Sequence, residues 1–331
     1  MSSLASLKNI EENCCITLDQ HAIISVTGEQ RDSYLHGQLT VDINKLADDQ
    51  ARRAAHCDFK GKAWALMTVC RFSDAVLLSI AKDALTSSMA QLQKYGVFSK
   101  IEIRDEASHF QQFALQGTQA EAFVIEQFGK LPESPMQSLQ SSDGLVIRQD
   151  YPQSLYWLIL SPAGAEALQT YVRQNQIVNY PSSVYEALAV ENGIPDVTND
   201  NINQFVPQMM NLQALNGIDF NKGCYMGQEV VARTRYLGRN KRAAFSFCIP
   251  AALAVKPGDI LEKQLGDNWR RGGTVIRAAT LGAETWIMAV LANDTEMNAV
   301  HRLASAPEHS FTPITLPYSV EPNSENLAKQ K

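Results

Sequence analysis

A chain of 331 residues, 45% hydrophobic and 19% charged, has the profile of an ordinary soluble globular protein, long enough for two or three domains. Its net charge of -6 excludes a nonspecific grip on nucleic acid through bulk charge, so any RNA contact must use a local patch. The longest apolar run, "AVLLSIA" at 75–81, is far short of a membrane helix, and "MSSLASLKNIEENCC" lacks signal-peptide character, so a cytoplasmic protein with no membrane partner is expected.

In chain order, "HAIISVTG" reads as a strand ending at Gly28, and "EQRDSYLHGQL" as a short helix behind that turn. "RRAAHCDF" and "AWALMTVCRF" are strand-like runs joined by Lys60-Gly61-Lys62, a hairpin signal. "AVLLSIA" supplies another strand, and "DALTSSMAQLQKY" a helix with Asp83 as its expected cap. A second unit repeats this grammar, with strands expected near 101–104, 111–116, 145–149 and 155–160 and helices near 118–129 and 162–175. Sheets with helices on one face make this part α+β.

"SSVYEALAVENG", 182–193, reads as a helix stopped by Gly193 and Pro195. An amide-rich connection follows, "DVTNDNINQFVPQMMNLQALNG", long enough to be functional. Its amides suit the mixed donor and acceptor edge of a heterocycle such as a pterin, and suit equally well the loop's own backbone. From about 243 the pattern turns to strands alone, "AAFSFCI", "GDILEKQL", "GTVIRAATL", "TWIMAVLA" and "AVHRLA", the spacing of a small antiparallel barrel. The expected boundaries are 1–242 for the α+β body, in two subdomains, 243–320 for the barrel, and 321–331 for a polar, disordered tail.

Six cysteines, at 14, 15, 57, 70, 224 and 248, show no C-x-x-C and no zinc-site spacing, so no metal site is expected. Most read as small buried residues. Cys224 differs: in "FNKGCYMGQEVVARTRY", residues 220–236, it lies between Gly223 and Gly227 and ahead of a helix beginning near Gln228. A helix N-terminus and Lys222 would favour a thiolate there, while plain packing under the helix is the competing reading. Between Asn221 and Arg242 six basic residues face one acid, Glu229. Arg233, Arg235 and Arg239 are candidates for an anion, although Glu229 and Arg233 at i and i+4 can simply pair. His56 and Asp58 share a strand face that Cys57 does not, which disfavours a catalytic trio.

These motifs together resemble one family. From "ISVTGEQRDSYLHGQLTVDI" through "AAHCDFKGKAWA", "VENGIPDV" and "FVPQMMNLQALNGIDFNKGCYMGQEVVARTRYLGRNKR" to "NWRRGGTVI", the chain is similar to the bacterial YgfZ family, and more distantly to the glycine-cleavage T-protein, an aminomethyltransferase. The signature carries over as Lys222, Gly223, Cys224, Tyr225, Gly227, Gln228 and Glu229, and Cys224 is the thiol on which the family's function depends most.

The resemblance implies a T-protein-like α+β body with a carboxy-terminal antiparallel β-barrel around a channel that binds tetrahydrofolate or a derivative. It implies a role in the upkeep of iron–sulfur enzymes, with those enzymes or their assembly machinery as partners, and thereby in tRNA modification; direct contact with tRNA is left open. Where family members carry tryptophans against the folate, this chain has His21 and Tyr185. "HCDFKGKAW" departs from the motif around the T-protein's catalytic aspartate, so aminomethyl transfer is not expected. A folate-dependent one-carbon transferase and a non-catalytic interaction module are the alternatives.

Overall fold

The computed structural model describes residues 1–150, 153–236 and 240–320, apart from the side chains of Asn199 and Tyr236. The tail expected at 321–331 lies outside the described residues.

The chain opens with β1 (Cys14–Thr17), β2 (His21–Thr27) and α1 (Arg31–Gln38). The hairpin β3 (Arg52–Cys57) and β4 (Ala63–Phe72) follows, then β5 (Ala75–Ala81), α2 (Leu85–Gly96) and β6 (Glu102–Asp105). Next come β7 (Gln111–Gln116), α3 (Thr118–Phe128), β8 (Ser138–Ser141), β9 (Gly144–Asp150) and β10 (Ser154–Leu160). The body ends with α4 (Pro162–Gln174), β11 (Val178–Tyr180), α5 (Ser182–Glu191) and α6 (Gln228–Tyr236). Six further strands are β12 (Arg242–Ile249), β13 (Ile260–Leu265), β14 (Asn268–Thr280), β15 (Thr285–Ala292), β16 (His301–Leu303) and β17 (Ala306–Phe311).

The strands form three sheets, ordered β11-β1-β7-β10-β9-β8, β3-β4-β5-β2-β6 and β12-β15-β14-β13-β16-β17. Among the described residues only the β1–β11 pair is parallel. The first two sheets are buried on both faces, which is why their strands read as apolar runs more than as clean alternation. Along β2, Ala22, Ile24 and Val26 join a core with Tyr34 and Leu92 from α1 and α2, whereas Ile23 points into a central core. Along β10, Tyr156, Leu158 and Leu160 pack with Phe123 of α3 and Leu168 of α4, while Leu155, Trp157 and Ile159 face the same central core. Each fully buried Ile or Leu contributes roughly 1.5–3 kcal/mol, so a strand that feeds two cores is stabilised from both sides.

The third sheet obeys period two. Ile287, Ala289 and Leu291 fill its interior with Phe245 and Phe247, and Trp286, Met288 and Val290 turn outward onto the central core. A bridge between Ser246 and Ile314 and the 5.3 Å approach of the Phe247 and Phe311 rings bring its two edges together, closing the barrel. Helix α5 lies between layers, apolar nearly all round, with Val184, Tyr185 and Ala187 to Val190 buried. It ends at Gly193, whose φ of 67° is left-handed and whose carbonyl accepts a 2.5 Å hydrogen bond from Tyr318 Oη.

Two local expectations are corrected. Asp83 does not cap α2: it sits inside a 3-10 turn, Lys82–Ala84, and the helix starts behind Ala84 with no side-chain cap. The strands β1, β8, β11 and β17 stand where no strand is expected from the sequence. No described helix is long and apolar enough to cross a membrane.

Candidate functional site

Two places hold the residues singled out above. The first is a cavity of about 50 Å³ where the three sheets meet around α5, lined among others by His21, Arg53, Gln149, Trp157, Tyr185, Asp196 and Arg277. His21 opens β2, Trp157 comes from β10, Tyr185 from α5, and Arg277 from β14 of the barrel. The rings converge: His21 lies 5.4 Å from Tyr185 and 5.9 Å from Trp157, both edge-on, and Trp157 is 6.3 Å from Tyr185. Tyr185 Oη also donates to Gln149 Oε1 at 3.3 Å.

A buried ion pair crosses the cavity wall. Arg277 Nε donates to Glu186 Oε2 at 2.7 Å and Nη1 to the Ile194 carbonyl at 3.0 Å. Burial alone would raise Glu186, but the Arg277 charge, the His21 ring and the Arg277 hydrogen bond together outweigh it and hold the carboxyl below its ordinary value. Asp196, one residue beyond Pro195, goes the other way: burial and then the Glu186 charge, against the pull of Arg277, push it up to about 7. Burial lowers His21 to about 4, so its ring is neutral at ordinary pH.

Three buried nitrogens in this cavity have no hydrogen-bond partner: His21 Nδ1, Trp157 Nε1 and Arg277 Nη2. Buried polar atoms are satisfied in the great majority of cases, so three around one cavity leave it able to bind water or a polar group. Arg53 adds a cation to the lining, close enough for its charge to act on the Tyr318 hydroxyl. Of the residues expected from the sequence, His21 and Tyr185 line this cavity; Trp157, Arg53, Asp196 and Arg277 join them without a signal in the sequence.

The second place is the signature loop. Lys222 does not lie beside the thiol as a free charge. Its ammonium is buried and donates to the carbonyls of His36, Leu39 and Val41 at 2.5, 2.6 and 2.9 Å, and lies 4.8 Å over the Tyr225 ring. Burial lowers its pKa to about 8, with Asp42 and Asp219 opposing. Met226 N donates to the Gly37 carbonyl at 3.1 Å, so the loop is strapped across the end of α1 on both sides of Cys224. Gly227 has a φ of 82°, and a Cβ there would collide with the Asp58 carbonyl on the hairpin turn. Cys224 itself is exposed, while Cys14, Cys15, Cys57 and Cys70 are buried and Cys248 is half-buried. Burial pushes Cys14, Cys15 and Cys70 up to about 12, which makes them inert beside it. Helix α6 begins at Gln228, a turn further on than the position that would set Cys224 directly at its N-terminus.

The remaining candidates separate. Exposed Arg233 pairs with exposed Glu229 at 2.8 Å, the solvated i, i+4 alternative, and Arg235 lies 4.1 Å over the Phe220 ring. Arg239 lies outside the described residues. The amides of the long connection staple backbone: Asn211 exchanges hydrogen bonds with Ala244 at 2.8 and 3.1 Å, and Gln208 Nε2 donates to the Val231 carbonyl at 2.5 Å. His56 is buried against Ser88 at 2.9 Å, and Asp58 Oδ1 accepts the Lys60 and Lys62 N–H groups at 2.9 and 2.8 Å, so that hairpin forms no trio. Among the described residues no cluster of three or more His, Cys, Asp or Glu is placed to hold a metal.

Comparison with known proteins extends the picture. The family model of the YgfZ β-barrel domain matches residues 240–306. The tRNA-modifying protein YgfZ of Yersinia enterocolitica is 38% identical over 306 residues, 92% of each chain. Its counterpart from Colwellia psychrerythraea is 36% identical over 318 residues, covering 96% of this chain and 97% of its own. Among solved structures, the glycine cleavage system aminomethyltransferase T from Bartonella henselae superposes with a TM-score of 0.72 over 94% of this chain and 87% of its own, and at 15% identity what is shared is the fold.

Proposed function

This chain belongs to the YgfZ family, and from that premise we propose that it is a folate-binding accessory protein in tRNA modification, supporting iron–sulfur enzymes through the thiol of Cys224. The observation that carries the reading is the convergence of His21, Trp157 and Tyr185 around three partnerless buried nitrogens. A reduced pterin has a flat face and an edge of mixed donors and acceptors. Trp157 and Tyr185 offer faces and edges to the ring, Asp196 and Gln149 offer acceptors, and His21 Nδ1 and Arg277 Nη2 are free to complete the edge. Arg53 suits the carboxylates at the far end of a folate, the part expected of the arginines after Gln228.

The folate, when bound, supplies a one-carbon or reducing carrier; the chain's residues bind and orient it. A cavity of about 50 Å³ holds one or two waters, so the lining must part to admit a two-ring head, and flexible Met67 is the lining side chain best suited to move. In the signature loop, Cys224 is the exposed thiol, held in place by Lys222 and Met226 while its own side chain stays accessible.

Titration of tetrahydrofolate tests the cavity. Tyr185→Ala should weaken binding about tenfold, in line with roughly 1–3 kcal/mol for a lost ring stack, and unchanged affinity would remove Tyr185 from the site. In cells lacking the gene, Cys224→Ala should fail to restore methylthiolated tRNA; full rescue would sink the thiol-dependent reading and favour the interaction module. The Asp58 carboxylate serves its own turn, which disfavours the transferase, and turnover of a one-carbon folate by the pure protein would reinstate it.

A further inference from the structure

The stretch "NWRRGG", residues 268–273, serves neither of these sites. It opens β14, which pairs with the end of β13, Glu262 against Arg271 and Lys263 against Arg270, as a two-stranded ribbon with an exposed tip at 264–268. Strand β15 joins β14 only from Thr274 onward, so residues 268–271 are a free edge among the described residues. Period two sorts the ribbon's side chains onto two faces. On one, Lys263 lies directly opposite Arg270 and, on its other side, opposite His301 of β16. Like charges so placed repel, and neither cation makes an ion pair among the described residues. Their neighbours on that face, Leu261, Leu265, Asn268 and Leu303, carry no charge. His301 adds none of the opposite sign: burial, with the Lys263 charge adding to it against the Ala299 carbonyl, holds its pKa below the ordinary value. On the other face Arg302 lies 4.1 Å over the Trp269 ring and donates to Glu262 Oε2 at 2.7 Å, which occupies that carboxylate. Exposed Arg271 has one 3.3 Å bond to Thr274 Oγ1. Four cations thus crowd the ribbon against Glu262 and Asp267, in a chain of net charge -6.

We propose that this edge, Trp269 to Arg271 with Lys263 and Arg302 beside it, is a docking surface for an RNA strand. Phosphates laid along the edge meet Arg270 on one side and Arg271 on the other, and they relieve the repulsion between Lys263 and Arg270 that the fold leaves standing. Unstacked RNA bases lie on aromatic rings and on arginine guanidinium planes, and the stack of Arg302 on Trp269 offers both on the same face as Arg271. An acidic protein surface matches the charges and has no need of the flat stack. The partner class rests on the tRNA-modification reading, while the surface itself owes nothing to the cavity or to Cys224.

The test is fluorescence anisotropy of a labelled, unmodified tRNA transcript with the full-length protein at about 50 and about 200 mM salt. The wild type should bind, with affinity falling steeply between the two salts. Arg270→Glu should weaken binding about tenfold or more and leave the melting temperature equal or higher, since it turns a cross-strand repulsion into an attraction to Lys263. Arg270→Gln should weaken binding less and reduce the slope of log affinity on log salt by about one. Trp269→Ala should weaken it about tenfold at either salt. Lys94→Glu, the same charge change on an exposed position of α2, should leave binding unchanged. A wild type that does not bind, or an equal loss in Lys94→Glu, overturns the proposal. Displacement of the RNA by polyglutamate at equal charge also overturns it and assigns the edge to an acidic protein. None of these outcomes bears on whether Cys224→Ala restores methylthiolated tRNA in cells, so the two readings fail separately.

Discussion

The cavity at the sheet junction and the signature loop are built on opposite plans. The cavity assembles residues 21, 53, 157, 185, 196 and 277 from three sheets, one helix and the connection after it, buries or half-buries them, and leaves nitrogens without partners. The loop is one contiguous stretch whose polar groups are matched, down to the Lys222 ammonium with its three carbonyls, and it leaves a thiol in solvent. Unsatisfied and buried suits holding a ligand; satisfied and exposed suits presenting a reactive atom. The difference teaches that charge near a thiol need not serve the thiol: Lys222 is part of the loop's foundation.

Arg277→Met tests the cavity most severely. It leaves Glu186 buried without its partner, and the expected loss is about 3–5 kcal/mol in denaturant unfolding, because breaking a buried pair strands a charge. If the loss is under about 1 kcal/mol, the cavity wall is wetter than described. Lys222→Met probes the loop's foundation. Three buried carbonyls lose one donor, which should cost about 2–3 kcal/mol and loosen the loop enough to change Cys224 alkylation. A variant as stable as wild type would turn Lys222 back into a surface charge.

The subtlest contrast lies within the cavity. His21 titrates at about 4 in the fold against an ordinary 6.5, so the unfolded chain binds the extra proton and stability rises with pH between those values. Asp196 titrates at about 7 against an ordinary 3.8, so the folded chain binds the extra proton and stability falls with pH over nearly the same window. The two slopes oppose each other. Asp196→Asn should therefore make the protein gain stability from pH 4 to 6.5, and His21→Gln should make it lose stability from pH 4 to 7. Melting curves across that range check both; parallel curves for the two variants would contradict the assignment.

Much of the fold was legible because its signals are local. The hairpin turn at Lys60-Gly61-Lys62, the stop at Gly193 and the alternation of Phe245 and Phe247 all lie within a few residues of what they determine. The short strands β1, β8 and β11 escaped, since three or four residues carry little period, and so did β17, whose "APEHSF" is largely polar. The loop was legible as a motif, yet Lys222 was misplaced because burial is not written in its neighbours. In the cavity, His21 and Tyr185 were reached through family resemblance. Trp157 sits in "SLYWLIL" and reads as one more core residue, and Arg277 between Ile276 and Ala278 reads as a solvent-facing position. Only the meeting of β10, β14 and α5 gives those two side chains a common address.

Tyr318 gives the carboxy-terminal strap an influence on the cavity out of proportion to its size. After β17 the chain returns along β12 at Ile314 and sets the Tyr318 hydroxyl on the carbonyl of Gly193, three residues before Asp196. The barrel is thereby latched to the end of the helix that carries Tyr185. A protein shortened just before Tyr318 would keep every strand of the barrel and lose the latch, so trimming or fusing at that end is an edit to the ligand site, made from more than a hundred residues away in sequence.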